Sequence, residues 1–336
     1  MPEIHRIGFT QLGSEEGRDV SIIFVHGLRG HPQATWSGES HGSNETDISQ
    51  DVSTSKRKFI RALFRGKRSG SAPSNSENGA GAQSSDIFWP DRLLTQDIPK
   101  ARIWTYGYNA DVIEGMFRAN NLNSVSQHGR DLAVKLEREV ENEDPIIFVA
   151  HSLGGIIVKD AIFRSEVCRQ RTKLIVFLGT PHRGSSYADW AQIASRLACL
   201  ALQHSNQTIT RALEVNSEVL DRIHEGFTDI AHASRIKVHS FQEGHGVSGV
   251  VGDFSSKLDL PRELETVETI DADHRQMVKC ASRDDARYRA ISGVLKQFLR
   301  SGALDGTSAT GQQLPSAHAG GQRQELPSAG QTPSGG

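Results

Sequence analysis

The chain is poor in cysteine and contains no long apolar run. Its three cysteines, Cys168, Cys199 and Cys280, are widely spaced and odd in number, without the spacing of a metal site. They therefore predict buried thiols in a reducing compartment rather than a disulfide framework. No stretch reaches the roughly 18 uncharged apolar residues of a membrane-spanning helix. The closest, residues 191–202, is interrupted by Arg196.

An excess of one charge is also absent. The 38 basic and 40 acidic residues leave a formal net charge of −2. No overall electric field therefore attracts nucleic acid, and a nucleic-acid partner is not expected. Residues 1–6 carry charge and no apolar core, so a secretory signal is not expected either. These features predict an intracellular, cytoplasmic protein with one large domain.

The chain does contain short apolar, β-branched runs that alternate with helical patterns. Strands are predicted at residues 21–28, 103–108, 145–149, 173–179, 235–241 and 266–270. Helices are predicted from the apolar stripe of residues 122–140 and at residues 155–163 and 284–299. This alternation predicts the α/β class, with a mostly parallel central sheet covered by helices on both faces.

Ser152 is the candidate nucleophile. It lies in Ala150-His151-Ser152-Leu153-Gly154, between a predicted strand and a predicted helix. A serine on such a turn is the nucleophile elbow of hydrolases, where strained backbone and close chain approach require small neighbours. Ala150 replaces the usual first glycine. Small-residue turns after strands also occur in α/β proteins without a nucleophile, so the motif alone leaves that reading open.

The loop after strand 21–28 contains His26, Gly27 and Leu28. Hydrolases of this type place one oxyanion-hole amide on this loop and a second on the residue after the nucleophile. The candidates are therefore the backbone N–H groups of Leu28 and Leu153. Gly27 lets the loop turn inward, and His26 is expected to brace the loop rather than to titrate in catalysis.

His274 is the candidate general base, since a serine hydroxyl needs a base to take its proton. It follows the predicted strand 266–270 and precedes the helical pattern 284–299. His182 is the rival, but it comes before every candidate acid, whereas the chain order in this fold is serine, acid, histidine. We interpret His182 as a structural or pocket-lining residue.

Glu243 is the candidate acid, because it directly follows the predicted strand 235–241. An acid at that strand end can reach the imidazole and hold its proper tautomer. Asp253 is the second choice. Asp271 and Asp273 could act locally beside His274.

Five fragments together resemble the serine esterase and lipase-like α/β-hydrolases: residues 25–32, 106–108, 150–155, 177–184 and 273–274. That group includes the mitochondrial serine-active-site protein linked to phosphatidylglycerol remodelling, the N-terminal hydrolase domains of fungal NOD-like receptors and, more distantly, GPI inositol-deacylases. The resemblance implies an α/β-hydrolase fold, a catalytic Ser152 and His274, and association with a mitochondrial or endoplasmic reticulum membrane. It says less about the acid and the substrate.

The resemblance covers about residues 1–300, which we interpret as one hydrolase domain. Residues 185–234 are predicted to form a helical cap, in which the apolar run 190–202 either lines an acyl pocket or packs on the sheet. Residues 37–86 and 301–336, rich in small and polar residues, are predicted to be a disordered insertion and a disordered tail.

One segment inside the insertion is basic and amphipathic. In Lys56–Arg68, four apolar side chains share one helical face, and seven basic residues accompany them. Such a segment can lie on an anionic membrane, which predicts peripheral membrane contact. A solvated or self-docked helix is the alternative.

The sequence thus predicts a serine esterase or lipase that hydrolyses or transfers acyl esters, with a lipid as the expected partner. Its acyl-enzyme mechanism requires neither a metal nor an organic cofactor. The alternative is a catalytically incidental α/β-hydrolase module used for signalling or recognition, since fold alone does not decide function.

Overall fold

The structure, a computed structural model, describes residues 2–13, 19–39, 86–110, 124–182, 217–244, 257–302 and 304. Within these ranges the main sheet contains seven strands: β1 Gly8–Leu12, β2 Val20–Val25, β5 Ala101–Gly107, β6 Ile146–His151, β7 Thr172–Leu178, β8 Lys237–Glu243 and β9 Glu265–Ile270. Two further short strands, β3 Ser37–Gly38 and β4 Ile87–Phe88, pair with each other.

The strand order is β1-β5-β2-β6-β7-β8-β9, and only β1 runs antiparallel to its neighbour. β2 and β6 lie side by side in the middle, and every residue of both is buried. Such continuous apolar runs are typical of parallel strands covered on both faces. This order and direction are those of the α/β-hydrolase fold, and the predicted fold class is confirmed.

Helices cover the sheet on both faces. They are α1 Ser124–Glu139, α2 Leu153–Arg164, α3 Glu166–Arg171, α4 Ser217–Ala233 and α5 Ala286–Arg300. Alternate residues of β2 and β6 enter two separate cores. One core contains residues of α1, α2 and α4, and the other contains residues of α5 together with Trp36 and Trp89.

Short helical turns complete the described elements. They are the 3-10 turns Ala34–Trp36 and Gln276–Val278, the π-helical turn Pro90–Leu94 and the short segment Thr95–Asp97 that continues it. No helix in the described ranges is long and apolar enough to cross a membrane.

The predicted strands are all present, with ends displaced by a few residues. The largest correction is that the strand predicted over 21–28 ends at Val25, so His26 to Leu28 form a loop. The first two residues of the predicted insertion are also ordered, because Ser37 and Gly38 pair with Phe88 and Ile87. Residues 40–85, including Lys56–Arg68, lie outside the described residues, as does the tail beyond residue 304.

Helix α4 is the described part of the predicted cap. Leu220, Ile223 and Phe227 are buried in the core that also contains α2. A methyl group added at Gly226 would lie 2.4 Å from the ring of Phe163 at the end of α2, so the two helices are in close contact. This helix is therefore part of the layer that covers the sheet, and residues 185–216 of the predicted cap lie outside the described residues.

Parallel strands bring their carboxyl ends to one edge of the sheet, where ligands of open α/β sheets bind. Ser152 follows β6, Glu243 ends β8, and His274 comes shortly after β9. The strand order therefore brings these three residues to the same edge.

Candidate active site

Ser152 occupies the turn between β6 and α2 with φ 54° and ψ −127°. A positive φ is uncommon for a residue other than glycine and must be held by its surroundings. Three hydrogen bonds hold the backbone of Ser152 in this conformation. The N–H of Ser152 donates to the carbonyl of Leu178 at 2.9 Å. Its carbonyl accepts from Gly155 N–H at 3.0 Å and from Thr180 Oγ1 at 3.1 Å. The backbone is thus fixed in the shape of a nucleophile elbow.

The glycines after Ser152 are required by close approach of the chain. A methyl group added at Gly154 would lie 2.4 Å from the carbonyl oxygen of His26, and one added at Gly155 would lie 2.3 Å from Thr180 Oγ1. Ala150, which replaces the usual first glycine, is fully buried within β6. The small residues of the motif therefore have a steric reason in this fold.

His274 and Glu243 form a hydrogen bond of 2.6 Å between Nδ1 and Oε1. Both side chains are nearly buried, 6% and 3% exposed. Nε2 of His274 is buried and has no hydrogen-bond partner among the described residues. The imidazole is thus held through one nitrogen, and the other is left for a further partner.

The remaining candidate acids are placed differently. Asp273 Oδ1 accepts from the N–H groups of Arg275 and Gln276 at 2.8 and 2.7 Å, so it shapes the loop that carries His274. Asp271 is exposed after β9. Asp253 lies outside the described residues.

The loop after β2 is pressed against the elbow. A methyl group added at Gly27 would lie 2.8 Å from Cβ of Ser152. The loop turns back through a hydrogen bond of 3.0 Å from Gly30 N–H to the Gly27 carbonyl. Leu28 lies within this turn. Leu153 is the first residue of α2, so the N–H of Leu153 has no acceptor within the helix.

His26 is fully buried and braces that loop, as predicted. Its ring stacks on Tyr108 with centroids 4.3 Å apart. Nδ1 lies 3.0 Å from the Gly27 carbonyl, which can only accept, so this nitrogen carries the proton. Nε2 then accepts from Tyr108 N–H at 3.4 Å. Both ring nitrogens are thus occupied by backbone groups of the loop and its neighbour.

His182 belongs to a second buried polar group. Its Nδ1 lies 3.4 Å from Nζ of Lys159 and its Nε2 lies 3.3 Å from Oγ of Ser240. Burial lowers the pKa of Lys159 to about 7 and that of His182 well below its ordinary value. His182 is therefore a buried structural residue, in agreement with its interpretation from the sequence.

Two residues that support the elbow had no predicted role. Thr180 donates to the Ser152 carbonyl, and His151 lies 2.9 Å through Nε2 from the carbonyl of His274. Both stand in fragments that carried the family resemblance. The position in a motif was the only signal, and it does not say which way a side chain points.

The chain resembles protein SERAC1. It is 25% identical to that of Danio rerio over 282 residues, which cover 80% of this chain and 37% of the relative. It is 24% identical to that of Homo sapiens over 290 residues, which cover 83% and 39%. The resemblance predicted from the motifs is thus confirmed as sequence similarity, but the chain spans only 37% to 39% of the length of these two relatives.

No family model matches the chain. Among solved structures, the lipase BlEst2 of Bacillus licheniformis is 16% identical with a TM-score of 0.47, covering 87% of this chain and 97% of that one. MenH from S. aureus is 9% identical with a TM-score of 0.46, covering 88% and 98%. At such scores, the order and direction of the strands remain the basis for the fold.

Proposed function

We propose that this protein is a serine hydrolase that cleaves carboxylic esters, with Ser152 as nucleophile, His274 as general base and Glu243 as the orienting acid. The observation that carries the proposal is the 2.6 Å contact between Glu243 and His274 at the sheet edge that also bears the strained Ser152. Serine, acid and histidine follow one another along the chain in the order of the α/β-hydrolases.

In the first half of the reaction, Glu243 keeps the proton of His274 on Nδ1, so that Nε2 carries a lone pair. Nε2 takes the hydroxyl proton of Ser152 as Oγ attacks the ester carbonyl. The resulting tetrahedral intermediate collapses, and His274 passes the same proton to the leaving alcohol. An acyl group remains on Ser152.

In the second half, water enters in place of the alcohol. His274 takes a proton from it, the hydroxide attacks the acyl carbonyl, and the proton returns to Ser152 Oγ as the acid departs. Each proton that leaves an oxygen reaches another oxygen through Nε2, so the enzyme is regenerated. An acceptor alcohol in place of water gives transacylation by the same steps.

The negative oxygen of both intermediates is stabilised by the backbone N–H groups of Leu28 and Leu153. Leu153 is suited to this because it begins α2, where the unpaired N–H groups give the helix its positive end. Leu28 is suited because its loop lies against Ser152 at Gly27.

From the family resemblance we further propose that the substrate is the acyl ester of a lipid. The same resemblance is the reason to propose attachment to a mitochondrial or endoplasmic reticulum membrane. A series of simple esters of increasing acyl length tests the first of these two proposals. A preference for long acyl chains supports a lipid substrate, whereas turnover restricted to short chains contradicts it.

The proposal is tested by labelling with a fluorophosphonate probe. We expect the wild type to be labelled and Ser152→Ala to lose both labelling and ester turnover, the latter by roughly 10³-fold or more. Ser240→Ala is a matched control, because Ser240 also lies near a histidine but within the buried core. Labelling at full strength in Ser152→Ala would contradict the proposal, and an unlabelled, inactive wild type would favour a recognition module.

A further inference from the structure

His151 connects the nucleophile elbow to the loop that carries His274. It is the last residue of β6, and its side chain is buried. Its Nε2 lies 2.9 Å from the carbonyl oxygen of His274, and the two rings have centroids 4.8 Å apart. A carbonyl oxygen can only accept, so Nε2 of His151 carries the proton and donates it to this bond.

The other side of the same ring faces the loop after β2. A methyl group added at Gly27 would lie 3.1 Å from Nδ1 of His151 and 2.8 Å from Cβ of Ser152. His151 therefore contacts the parts of the chain that bear the proposed base and the first oxyanion amide, and it is bonded directly to the nucleophile residue.

The ring is neutral in this environment. Burial, together with the neighbouring His274, lowers the pKa of His151 well below its ordinary value. Nδ1 is buried and has no hydrogen-bond partner among the described residues, so a second proton would lack an acceptor there. The donor at Nε2 is thus retained without a charge beside the base.

The loop around His274 also has hydrogen bonds within itself. Asp273 caps it through the N–H groups of Arg275 and Gln276, and the N–H of Met277 donates to the Asp273 carbonyl at 3.0 Å. The contact from His151 does something else, because it joins this loop directly to the strand that ends at the elbow.

We propose that His151 is a positioning residue, whose hydrogen bond to the His274 carbonyl sets the place of the imidazole relative to Ser152. This inference rests on the proposed function. The distance between nucleophile and base matters steeply, since a displacement of about 1 Å can cost about 100-fold in rate. Because His151 would act through the position of the imidazole, we expect its effect on kcat rather than on substrate binding.

Three substitutions separate the hydrogen bond from packing. The amide nitrogen of glutamine can reach the place of Nε2, that of asparagine reaches only the place of Nδ1, and phenylalanine keeps a ring without a donor. We expect His151→Asn and His151→Phe to lower kcat about 10- to 100-fold with little change in KM. We expect His151→Gln to recover much of this loss. Rates are divided by the number of sites that react with the fluorophosphonate probe, which removes any unfolded fraction.

Hydrogen exchange of residues 271–279, followed by mass spectrometry, measures the contact without using the reaction. His151→Asn and His151→Phe should exchange faster there than the wild type, and His151→Gln should not. Wild-type kcat per reactive site in both variants, with unchanged exchange, overturns the inference and leaves the proposed function intact. A wild type that neither reacts with the probe nor turns over ester overturns both.

Discussion

Glu243 can be tested as the orienting acid by replacing its carboxylate with an amide. Glu243→Gln keeps the shape of the side chain but removes the charge that holds the proton on Nδ1 of His274. We expect turnover to fall about 10³- to 10⁴-fold, as when the acid of a triad is replaced by its amide. Initial rates with a soluble ester, taken on protein with unchanged thermal unfolding, measure the effect.

Glu268 provides the matched control for Glu243. It also accepts a hydrogen bond from a histidine, His239, at 3.1 Å, but it is 48% exposed and lies on the next strand. Glu268→Gln should retain wild-type turnover. If Asp253→Asn loses turnover while Glu243→Gln is folded and keeps it, Asp253 rather than Glu243 is the acid.

Lys159 makes the stability of the fold depend on pH. Burial lowers its pKa from 10.5 to about 7. Between these values the unfolded chain holds a proton that the folded chain lacks, so the free energy of unfolding rises with pH by up to about 1.4 kcal/mol per unit. Below about pH 7 both states are protonated and this contribution no longer changes.

Lys159→Met removes that dependence. We expect the variant to be more stable than the wild type by an amount that is largest near pH 7 and shrinks as the pH rises toward 10. The lost contact with His182 adds an offset that need not follow the titration of Lys159, so the slope is the informative quantity. Urea unfolding of both proteins from pH 6 to 10 measures it. A difference that stays constant across this range would mean that Lys159 is charged in the fold.

Much of the site could be predicted residue by residue, because the signals that mark it are local in the sequence. Ser152, Glu243 and His274 each follow a strand that the sequence marks clearly, so their place at one sheet edge could be inferred. The contact from His151 could not, because it depends on a side-chain direction and on a carbonyl far along the chain.

At the scale of elements, the start of α2 depends on close contact with β2. Gly154→Ala would bring a methyl group to 2.4 Å from the His26 carbonyl and 2.7 Å from that of Val25, both of them backbone atoms. We expect a loss of about 1 to 3 kcal/mol in the free energy of unfolding. Urea unfolding measures it.

Gly293 in the middle of α5 is the control for this substitution. A methyl group there would meet nothing within 4 Å. Because alanine favours the helix over glycine, Gly293→Ala should stabilise the protein by about 0.5 to 1 kcal/mol. Equal effects of the two substitutions would contradict the close packing of α2 on the loop after β2.

Both β1 and α3 escaped prediction, because their patterns are short or their partners distant. β1 has only five residues, with Thr10 and Gln11 among apolar ones, and it pairs antiparallel with β5 far along the chain. α3 has six residues, too few to show a helical period. Its start is defined by Ser165, whose Oγ accepts from Cys168 N–H at 3.1 Å.

At the scale of the whole molecule, the site is assembled from distant parts of the chain. The class of sheet followed from the alternation of strands and helices, which is a local pattern. The order of the strands did not follow from that pattern, because β5 lies between β1 and β2 although it comes after both in the chain. The segment just before β5, which begins at residue 86, includes β4. Within that segment, β4 pairs with β3, which is formed by the first two residues of the predicted insertion.

The pairing of β3 with β4 allows most of the predicted insertion, residues 39–86, to be removed without breaking this pair. Gly38 pairs with Ile87 in antiparallel β3 and β4, so the two ends of residues 39–86 lie side by side. An Asn-Gly turn is the preferred connection for such a pair. β3 and the turn before it also contact the segment that follows His274, since Lys279 Nζ donates to the carbonyls of Ala34 and Ser37 at 2.9 and 3.2 Å. A deletion must therefore keep β3 and β4.

Replacing residues 39–86 by Asn-Gly tests the proposed membrane contact of Lys56–Arg68. We expect the shortened protein to bind anionic vesicles less than the wild type at low salt, because each basic residue near such a surface contributes about 1 kcal/mol and salt screens the attraction. Turnover of a soluble short-chain ester should be nearly unchanged, since Ser152, Glu243 and His274 lie at or after the ends of strands outside the replaced segment. A full-length variant with the seven basic residues of Lys56–Arg68 changed to glutamine is the matched control, and it should lose the same binding. Equal co-sedimentation of all three proteins with phosphatidylserine vesicles at low salt would contradict the membrane contact.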